Sequence, residues 1–263
     1  MMSSPQKGDP LYKKSCPKCG SSDANQVFSY DNKPNDSWCF ACETYFPSDD
    51  SLDKVVPIKQ QYNKAQTMEI EDIKKLPIRA LEDRKIRKET CAAYRVRVAL
   101  SQEDGETITS IFSPDTSEGI LVGYEQKQVK DKRFMSIGDR KGSLDLWGKH
   151  HASSCNGHKL YITEGRLDAL SLYQVIKDHT AEKYKHLKPS VVSLTKGCSG
   201  AVKDLINNRN FVESFKEIIL CFDNDQAGDK AVKEVLKVFP MAKVATLPLK
   251  DASDMLVADR GKE

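Results

Sequence analysis

Apolar residues recur with different periods in different parts of this chain. From Lys159 onward, short and almost wholly apolar segments alternate with longer segments in which apolar residues recur every three or four positions. The short segments predict strands buried on both faces, and the longer segments predict amphipathic helices. We predict strands over 159–163, 190–194, 218–222 and 243–247, and helices over 166–177, from the Gly197/Gly200 turn to about 206, and over 227–238. Strands that alternate with helices form a parallel sheet with helices on both faces, so we predict an α/β fold.

The middle of the chain predicts a mixed α+β section. Short helices over 69–76 and 86–94 precede strands over 96–101, 107–113, 119–125 and 134–137. Residues 49–66 are polar, lack periodicity and are interrupted by Pro57, which predicts a flexible linker. We therefore divide the chain into an N-terminal domain over 1–50, a linker over 51–66, a mixed subdomain over 67–155 and a parallel-sheet subdomain over 156–263.

Four of the eight cysteines have the spacing of a metal site. They form the pattern C-x2-C-x19-C-x2-C, and they are Cys16, Cys19, Cys39 and Cys42. The other four cysteines are scattered along the chain. Two C-x2-C pairs at this separation predict one tetrahedral, structural zinc ion, with a redox-active dithiol pair as the alternative.

The zinc site predicts a small ribbon with strands over 26–30, 37–40 and 44–46. So small a unit buries too little apolar surface to fold alone, and the metal supplies the missing stability. The aromatic residues of the ribbon either form its core or stack on unpaired bases; they are Phe28, Tyr30, Trp38 and Tyr45.

Composition and charge exclude some classes of protein and favour others. The 263 residues include 41 basic and 38 acidic side chains, and no segment approaches the roughly 18 apolar residues of a membrane helix. The N-terminal residues also lack the apolar region of a secretory signal, so we expect a cytoplasmic protein without a membrane partner. Basic residues are concentrated in 74–97 (nine against three acidic) and 126–149 (seven against three). Such excesses suit a phosphate backbone, although a solvated helix face explains either segment alone.

Acidic residues follow three of the four predicted parallel strands. Glu164 comes directly after the first strand, with Asp168 one helical turn further on, and Asp223 and Asp225 follow the third strand. Asp251 follows the fourth strand. The carboxyl ends of parallel strands meet at one edge of a sheet, where ligands bind. A cluster of carboxylates there predicts a site for Mg²⁺ or Mn²⁺, and two such ions commonly serve phosphoryl transfer.

Three short segments resemble the signatures of the Toprim fold. They are TEGRLDAL at 163–170, CFDNDQAG at 221–228 and KDASD at 250–254. Further segments behind a four-cysteine ribbon resemble the primase half of the bifunctional primase–helicases of short-tailed phages; they are IFSPD (111–115), LVGYEQKQVKDKRFMS (121–136), LWGKH (146–150) and VVSLTKGCSGA (191–201). This resemblance extends from about Cys16 to Asp254. It implies a zinc ribbon that binds DNA, then a basic subdomain and a catalytic Toprim subdomain.

The resemblance also implies a role for each candidate site residue. Asp223, Asp225 and Asp251 would bind magnesium, with Glu164 as a metal ligand or as a base near the primer 3′-hydroxyl, and Asp168 would support them. Phosphates of the nucleoside triphosphate and of the template would be held by basic side chains, namely Lys127, Lys130, Lys132, Arg133 and Lys149. The implied reaction is synthesis of an RNA primer on single-stranded DNA, by attack of a 3′-hydroxyl on an α-phosphate. The ribbon would read a short template sequence.

Partners and location follow from the same resemblance. The family continues beyond this region into a hexameric helicase, so we expect this chain to be an excised primase half that works with a helicase and passes primers to a replicative DNA polymerase. The place of action would be the cytoplasm of an infected cell. One position departs from the family pattern, because Arg166 stands where an acidic residue is often found.

Two other classes of protein share parts of this pattern. A recombination mediator also joins a four-cysteine element to a Toprim domain, but it clamps DNA without chemistry. A Toprim nuclease would use the same carboxylates to cut DNA. A topoisomerase would need a cleavage domain with a nucleophilic tyrosine, for which this chain leaves little room.

Overall fold

The computed structural model describes residues 10–28, 36–46, 68–131, 133–140, 142–155 and 157–262. The predicted linker over 51–66 and the candidate residue Lys132 lie outside these ranges. The chain forms two compact units, residues 1–63 and 64–263. The proposed boundary between the two subdomains near residue 155 stays a prediction. In the parts of the chain described above, no helix is long and apolar enough to cross a membrane.

The first unit contains a four-stranded antiparallel sheet with neighbouring strands in sequence order. Its strands are β1 (Pro10–Lys14), β2 (Asn25–Phe28), β3 (Ser37–Cys39) and β4 (Thr44–Phe46). Strand β1 is an addition to the three predicted strands, and the predicted end of β2 at 29–30 lies outside the described residues. The second C-x2-C pair lies at the β3–β4 turn, where Cys39 is paired with Thr44. The sheet thereby fixes the position of one cysteine pair.

The second unit begins with two short helices and an antiparallel sheet in the order β5-β6-β7-β8. These elements are α1 (Ile70–Lys75), α2 (Lys88–Ala93), β5 (Arg97–Leu100), β6 (Ile108–Ser117), β7 (Ile120–Gln128) and β8 (Phe134–Gly138). Strand β6 continues four residues past its predicted end at 113, through Pro114. Pro114 lies opposite Tyr124 on β7, and the pairing shifts register just beyond, between Asp115 and Thr116. A proline is tolerated where ladder pairing is about to become irregular.

The remainder of the second unit is built on a parallel sheet in the order β10-β9-β11-β12. Its strands are β9 (Lys159–Thr163), β10 (Ser190–Ser193), β11 (Glu217–Cys221) and β12 (Lys243–Val244). The helices are α3 (Lys149–Ala152), α4 (Arg166–His179), α5 (Ala201–Asn207), α6 (Arg209–Val212), α7 (Gln226–Val238) and α8 (Ala252–Val257). Thr163 is level with Ser193 on one side and with Cys221 on the other. The carboxyl ends of the three central strands therefore lie at the same edge of the sheet.

Both faces of the three central strands of the parallel sheet are buried, as the apolar strands predict. Leu160 and Ile162 of β9 belong to a core with α5 and α7, whereas Tyr161 between them packs against a second core that includes α4 and α8. Alternation along one strand therefore fills two cores. The predicted α/β fold with helices on both faces is confirmed.

The antiparallel part of the second unit shares a core with the parallel part. Tyr94 stacks on Trp147 with ring centroids 5.1 Å apart, and its ring meets the edge of Tyr173 on α4 at 5.4 Å. The Tyr94 hydroxyl donates a hydrogen bond of 3.0 Å to the carbonyl oxygen of Val191 on β10. These contacts hold the basic section of the chain against the sheet that carries the acidic residues.

Candidate functional site

The four predicted cysteine ligands form a compact cluster. Their sulfur atoms all lie within 4.8 Å of one another, with Cys16 Sγ 3.6 Å from Cys42 Sγ and Cys19 Sγ 3.7 Å from Cys39 Sγ. Within the described residues this is the one group of three or more potential metal ligands that is so close together. Four clustered thiols suit zinc, and the predicted zinc-ribbon fold is confirmed.

Local backbone geometry explains the first cysteine pair. The Cys19 N–H group points at Cys16 Sγ (3.5 Å), and Gly20 closes the turn with its N–H on the Cys16 carbonyl oxygen at 2.9 Å. Gly20 has a φ of +72°, a conformation that favours glycine. The glycine after the second cysteine therefore allows both sulfurs to face the same point.

Glu164 lies at the carboxyl end of β9, and a neighbouring loop holds its carboxylate. The Cys198 thiol donates a hydrogen bond of 2.8 Å to Glu164 Oε2, and the Cys198 N–H group donates one of 3.2 Å to Oε1. Gly197, with a φ of +64°, passes so close that a Cβ atom there would lie 3.2 Å from Oε1. The loop after β10 is therefore shaped around this carboxylate. Burial, together with the adjoining Glu164, raises the pKa of the Cys198 thiol, which keeps it protonated as a donor.

Asp223 and Asp225 follow β11 and occupy different environments. Asp225 is the N-cap of α7 and accepts hydrogen bonds from the N–H groups of Ala227 (2.9 Å) and Gly228 (3.0 Å). Asp223 is largely buried, with 17% of its side chain exposed. Burial, together with Glu164 and Asp251, raises the pKa of Asp223 to about 6. A Cβ atom on Gly228 would overlap the Asp223 carbonyl oxygen, so glycine is needed where α7 begins against this loop.

The loop after β12 brings Asp251 and Lys250 to the same edge. The Lys250 carbonyl oxygen accepts a hydrogen bond of 2.7 Å from the Asn224 N–H group, which ties this loop to the one between Asp223 and Asp225. Asp251 is the N-cap of α8 and accepts a hydrogen bond of 2.7 Å from the Asp254 N–H group. The Lys250 Nζ atom lies 3.5 Å from Asp223 Oδ2 and 3.9 Å from Asp225 Oδ2.

Asp168, on the first turn of α4, interacts electrostatically with the other acidic residues of this edge. Burial, followed by the charges of Asp251 and Asp223, raises the pKa of Asp168 to about 7. A Cβ atom on Gly165 would overlap the Asp168 carboxylate, so this glycine leaves room for it. Among the described residues, no three of these acids have oxygens as close together as the cysteine sulfurs. The carboxylate oxygens are therefore further apart than the cysteine sulfurs, although the acids still interact electrostatically.

The departure at Arg166 has a structural explanation. Its guanidinium lies 2.8 Å from Asp115 Oδ1 on β6 and 3.2 Å from Glu125 Oε1 on β7. It also donates a hydrogen bond of 3.2 Å to the Ser113 carbonyl oxygen. An acidic residue at position 166 would face two carboxylates, whereas arginine joins the start of α4 to the antiparallel sheet.

The candidate basic residues lie in two places. Lys127 on β7, Lys130 in the turn after it, and Arg133 belong to the β7–β8 hairpin, where Arg133 pairs with Asp131 at 2.7 Å. Lys149 begins α3, and its Nζ atom lies 2.6 Å from Asp145 Oδ1 and 5.5 Å from the centroid of Phe211. Lys149 is therefore half-buried and paired, whereas Lys130 and Arg133 of the hairpin are exposed.

Sequence reasoning did not assign roles to Cys198 and Lys250. Both are next to residues that the sequence analysis named: Cys198 lies within the Gly197/Gly200 turn, and Lys250 precedes Asp251. The signal that could have found them is their place at the carboxyl ends of parallel strands, where any polar side chain faces the site.

Comparisons with known proteins find relatives of this chain. The Toprim-like family model matches residues 161–256. The DNA helicase/primase of Enterobacteria phage T3 is 31% identical over 259 residues, which is 96% of this chain and 42% of that protein. The chain thus spans less than half the length of this curated relative.

Two solved structures are also similar. The crystal structure of the primase fragment of the bacteriophage T7 primase-helicase protein matches with a TM-score of 0.61 and 29% identity, over 97% of this chain and 98% of that one. A bacteriophage T7 structure, in which the lagging-strand DNA polymerase interacts with primase domains bound to an RNA/DNA hybrid and dTTP, matches with a TM-score of 0.57 and 33% identity, over 71% of this chain and 88% of that one. The chain belongs to the family of primase domains of phage primase–helicases.

Proposed function

We propose that this protein is a DNA primase, a DNA-directed RNA polymerase that joins nucleoside triphosphates into short RNA primers on a single-stranded DNA template. The observation that carries the proposal is the meeting of Glu164, Asp223 and Asp251 at one edge of a Toprim-like sheet. The ends of β9 and β11 are level, with Cys221 opposite Thr163, and the Asn224 N–H group is hydrogen-bonded to the Lys250 carbonyl oxygen, which supports a common space between the three loops. Membership of the primase family supports nucleotidyl transfer as the reaction in this space.

The carboxylates fit the divalent cation that the Toprim-like match implies. Asp223, Asp225, Asp251 and Glu164 offer hard oxygen ligands, which Mg²⁺ and Mn²⁺ prefer. In addition, a positive group of the protein itself, the Lys250 ammonium, already lies between Asp223 and Asp225. We propose two such ions, and a bound divalent cation would neutralise charge on the triphosphate during nucleotidyl transfer.

Glu164 would be a metal ligand or the base that handles the proton of the attacking 3′-hydroxyl. Two hydrogen bonds from Cys198 hold its carboxylate, and Glu164 follows β9, whose neighbour β11 leads to Asp223. A carboxylate within reach of the hydroxyl would accept its proton as the oxygen attacks the α-phosphorus, with the pyrophosphate leaving from the opposite side. Asp168 would support this group from the first turn of α4.

The basic residues would hold anionic groups. We assign the β7–β8 hairpin side chains Lys127, Lys130 and Arg133, together with Lys132, to the phosphates of the nucleotide and of the template. The positive charge of Lys149 would also attract these phosphates. Holding the triphosphate in line with the hydroxyl supplies much of the acceleration of such a transfer.

The zinc ribbon would read the template. We propose one structural zinc ion held by the four cysteines. Trp38, Phe40 and Tyr45 contribute to a groove of about 390 Å³, whose dimensions and aromatic character suit unpaired bases.

The partners are proposed from the family. One T7 structure joins primase domains to a lagging-strand DNA polymerase, so a replicative polymerase is the expected recipient of the primer. A replicative helicase is the second expected partner, because the phage T3 relative is a helicase/primase of more than twice the matched length. The place of action would be the cytoplasm of the infected cell.

The test is the fate of nucleic acid when the protein is mixed with Mg²⁺, a pool of single-stranded DNA templates and the four ribonucleoside triphosphates. A primase joins ribonucleotides into short, template-dependent RNA products. The templates that support synthesis identify the DNA sequence that the protein reads. A Toprim nuclease would instead shorten end-labelled DNA. A recombination mediator would bind DNA and change neither, and either of these results would contradict the proposal.

A further inference from the structure

The acidic edge of the parallel sheet carries a positive group of its own. Two ion pairs among the described residues involve the site carboxylates, and both are made by Lys250, with Asp223 at 3.5 Å and Asp225 at 3.9 Å. The ammonium therefore lies between the two aspartates that follow β11. A divalent cation bound by both aspartates would need to approach the same oxygens.

The backbone places Lys250 there by a specific contact. Its carbonyl oxygen accepts the hydrogen bond of 2.7 Å from Asn224, the residue between the two aspartates, and the Asn224 side chain reaches the Leu247 carbonyl oxygen at 3.5 Å. Asp251, the next residue, is fixed as the N-cap of α8. The main chain of Lys250 is thus joined to the Asp223–Asp225 loop, whereas 56% of its side chain is exposed. A fixed backbone and an exposed side chain allow the ammonium to move away without rearrangement of the loop.

We propose that Lys250 is an internal counter-cation, which balances Asp223 and Asp225 in the metal-free protein and is displaced when a divalent cation binds. This inference rests on the proposed function, because it takes the two aspartates to be metal ligands. Carboxylates held close together repel one another, and a tethered ammonium relieves that repulsion until the metal arrives. After displacement the ammonium stays beside the site, where it is available to the anionic triphosphate.

Competition has a consequence for metal affinity. Removing the ammonium leaves the two carboxylates uncompensated, so the metal-free protein loses stability while the metal no longer has a competitor. Lys250→Met is therefore expected to bind Mn²⁺ about tenfold more tightly than the unmodified protein, whereas Lys250→Arg, which keeps the charge, stays near the original affinity. The metal-free Lys250→Met protein is expected to unfold at a lower temperature, and Mn²⁺ is expected to raise that temperature by a larger amount than in the unmodified protein.

The experiment measures Mn²⁺ binding to the zinc-loaded full chain by electron paramagnetic resonance, without DNA or nucleotide. Lys230→Met is the matched control, because Lys230 is exposed on α7 five residues after Asp225 and makes no ion pair with these carboxylates among the described residues. A similar rise in affinity for Lys230→Met and Lys250→Met would show a general effect of net charge and would overturn the proposal. Unchanged or weaker Mn²⁺ binding by Lys250→Met would overturn it as well.

Asp225→Asn separates this inference from the proposed function. If the unmodified protein binds Mn²⁺ and Asp225→Asn does not, the metal site stands, and the Lys250 variants alone decide the role of the lysine. If the unmodified protein shows no Mn²⁺ binding that depends on Asp225, the metal site fails and the inference fails with it.

Discussion

The guanidinium of Arg166 lies 2.8 Å from the Asp115 carboxylate, and the two side chains are only 8% and 1% exposed. Arg140 approaches the same carboxylate, with its Nε atom 2.9 Å from Asp115 Oδ2. Two arginines thus balance one buried aspartate at the junction of α4 with β6. Because Arg166 comes two residues after Glu164, this junction also fixes the end of β9 that carries the candidate catalytic carboxylate.

Replacing Arg166 with methionine is expected to lower the free energy of unfolding of the second unit by about 1.5–3 kcal/mol, since the buried Asp115 carboxylate loses one of its two charged partners while Arg140 remains. Urea denaturation of the purified chain measures the change. Lys237→Met is the control, because Lys237 makes an exposed ion pair with Glu234 and such pairs contribute about 1 kcal/mol or less. Equal effects of the two substitutions would contradict the role assigned to Arg166.

Local pattern predicted the three central strands of the parallel sheet well, for a physical reason, whereas the strand predicted over 243–247 is only two residues long. Strands such as β9 and β11 are buried on both faces, so nearly every position is apolar, and the acids stand out directly after them. The C-x2-C spacing could likewise be interpreted from the sequence, because both cysteines of a pair lie in one short turn. Strand β1 was missed because PLYKK has neither an apolar run nor a clear alternation, and its place is set by pairing with β2.

The contacts of the site could not be derived from the sequence. Cys198 reaches Glu164 across 34 positions, and Arg166 reaches Asp115 across 51. Each contact depends on how two separate elements pack against each other. The periodicity of the intervening sequence does not indicate which residues come into contact. The same holds for Lys250, whose main chain is held by a backbone hydrogen bond from a different loop.

Cys198 is expected to act as a positioning residue for Glu164. Cys198→Ala removes the thiol donor and is expected to lower kcat for primer synthesis about tenfold, with little change in the KM for nucleotide, because one hydrogen bond to a charged group is lost. Cys198→Ser keeps a hydroxyl donor and is expected to recover most of the rate. Steady-state kinetics of both variants, with Cys155→Ser as the control, measure the effect. Alanine and serine variants of equal rate would contradict it.

The stability of the metal-free protein is expected to fall as pH rises from about 4 to about 7. The unfolded chain releases the Asp168 proton near the ordinary pKa of 3.8, whereas burial and the nearby Asp251 and Asp223 raise the folded pKa to about 7. Between these values the native state binds more protons, so the free energy of unfolding decreases with pH.

Urea denaturation at pH 5 and pH 8 in magnesium-free buffer measures this dependence. Asp168→Asn keeps the shape of the side chain without a titrating group and is expected to reduce the loss of stability between the two pH values. An Asp168→Asn protein with the same pH dependence as the unmodified chain would show that Asp168 does not carry the effect.

Zinc is expected to hold the first unit together. Cys39→Ser removes a buried ligand from the four-sulfur cluster and is expected to abolish the binding of one zinc ion per chain, since a unit of this size depends on its metal. Atomic absorption of the purified protein measures the metal, and Cys91→Ser, a buried thiol of the second unit, is the control. Retention of one zinc ion by Cys39→Ser would contradict the assignment.

The most direct test of the central claim is incorporation of labelled ribonucleotides on single-stranded DNA by the unmodified chain, by Glu164→Gln and by Glu217→Gln. Glu217 begins β11 at the opposite edge of the same sheet and pairs with Lys243 at 2.9 Å, so its variant controls for the loss of one carboxylate. Template-dependent RNA products that fall at least about 100-fold in Glu164→Gln and stay near the original level in Glu217→Gln are the predicted result. RNA synthesis by Glu164→Gln at the unmodified rate, or shortened DNA with no RNA product from the unmodified chain, would contradict the account.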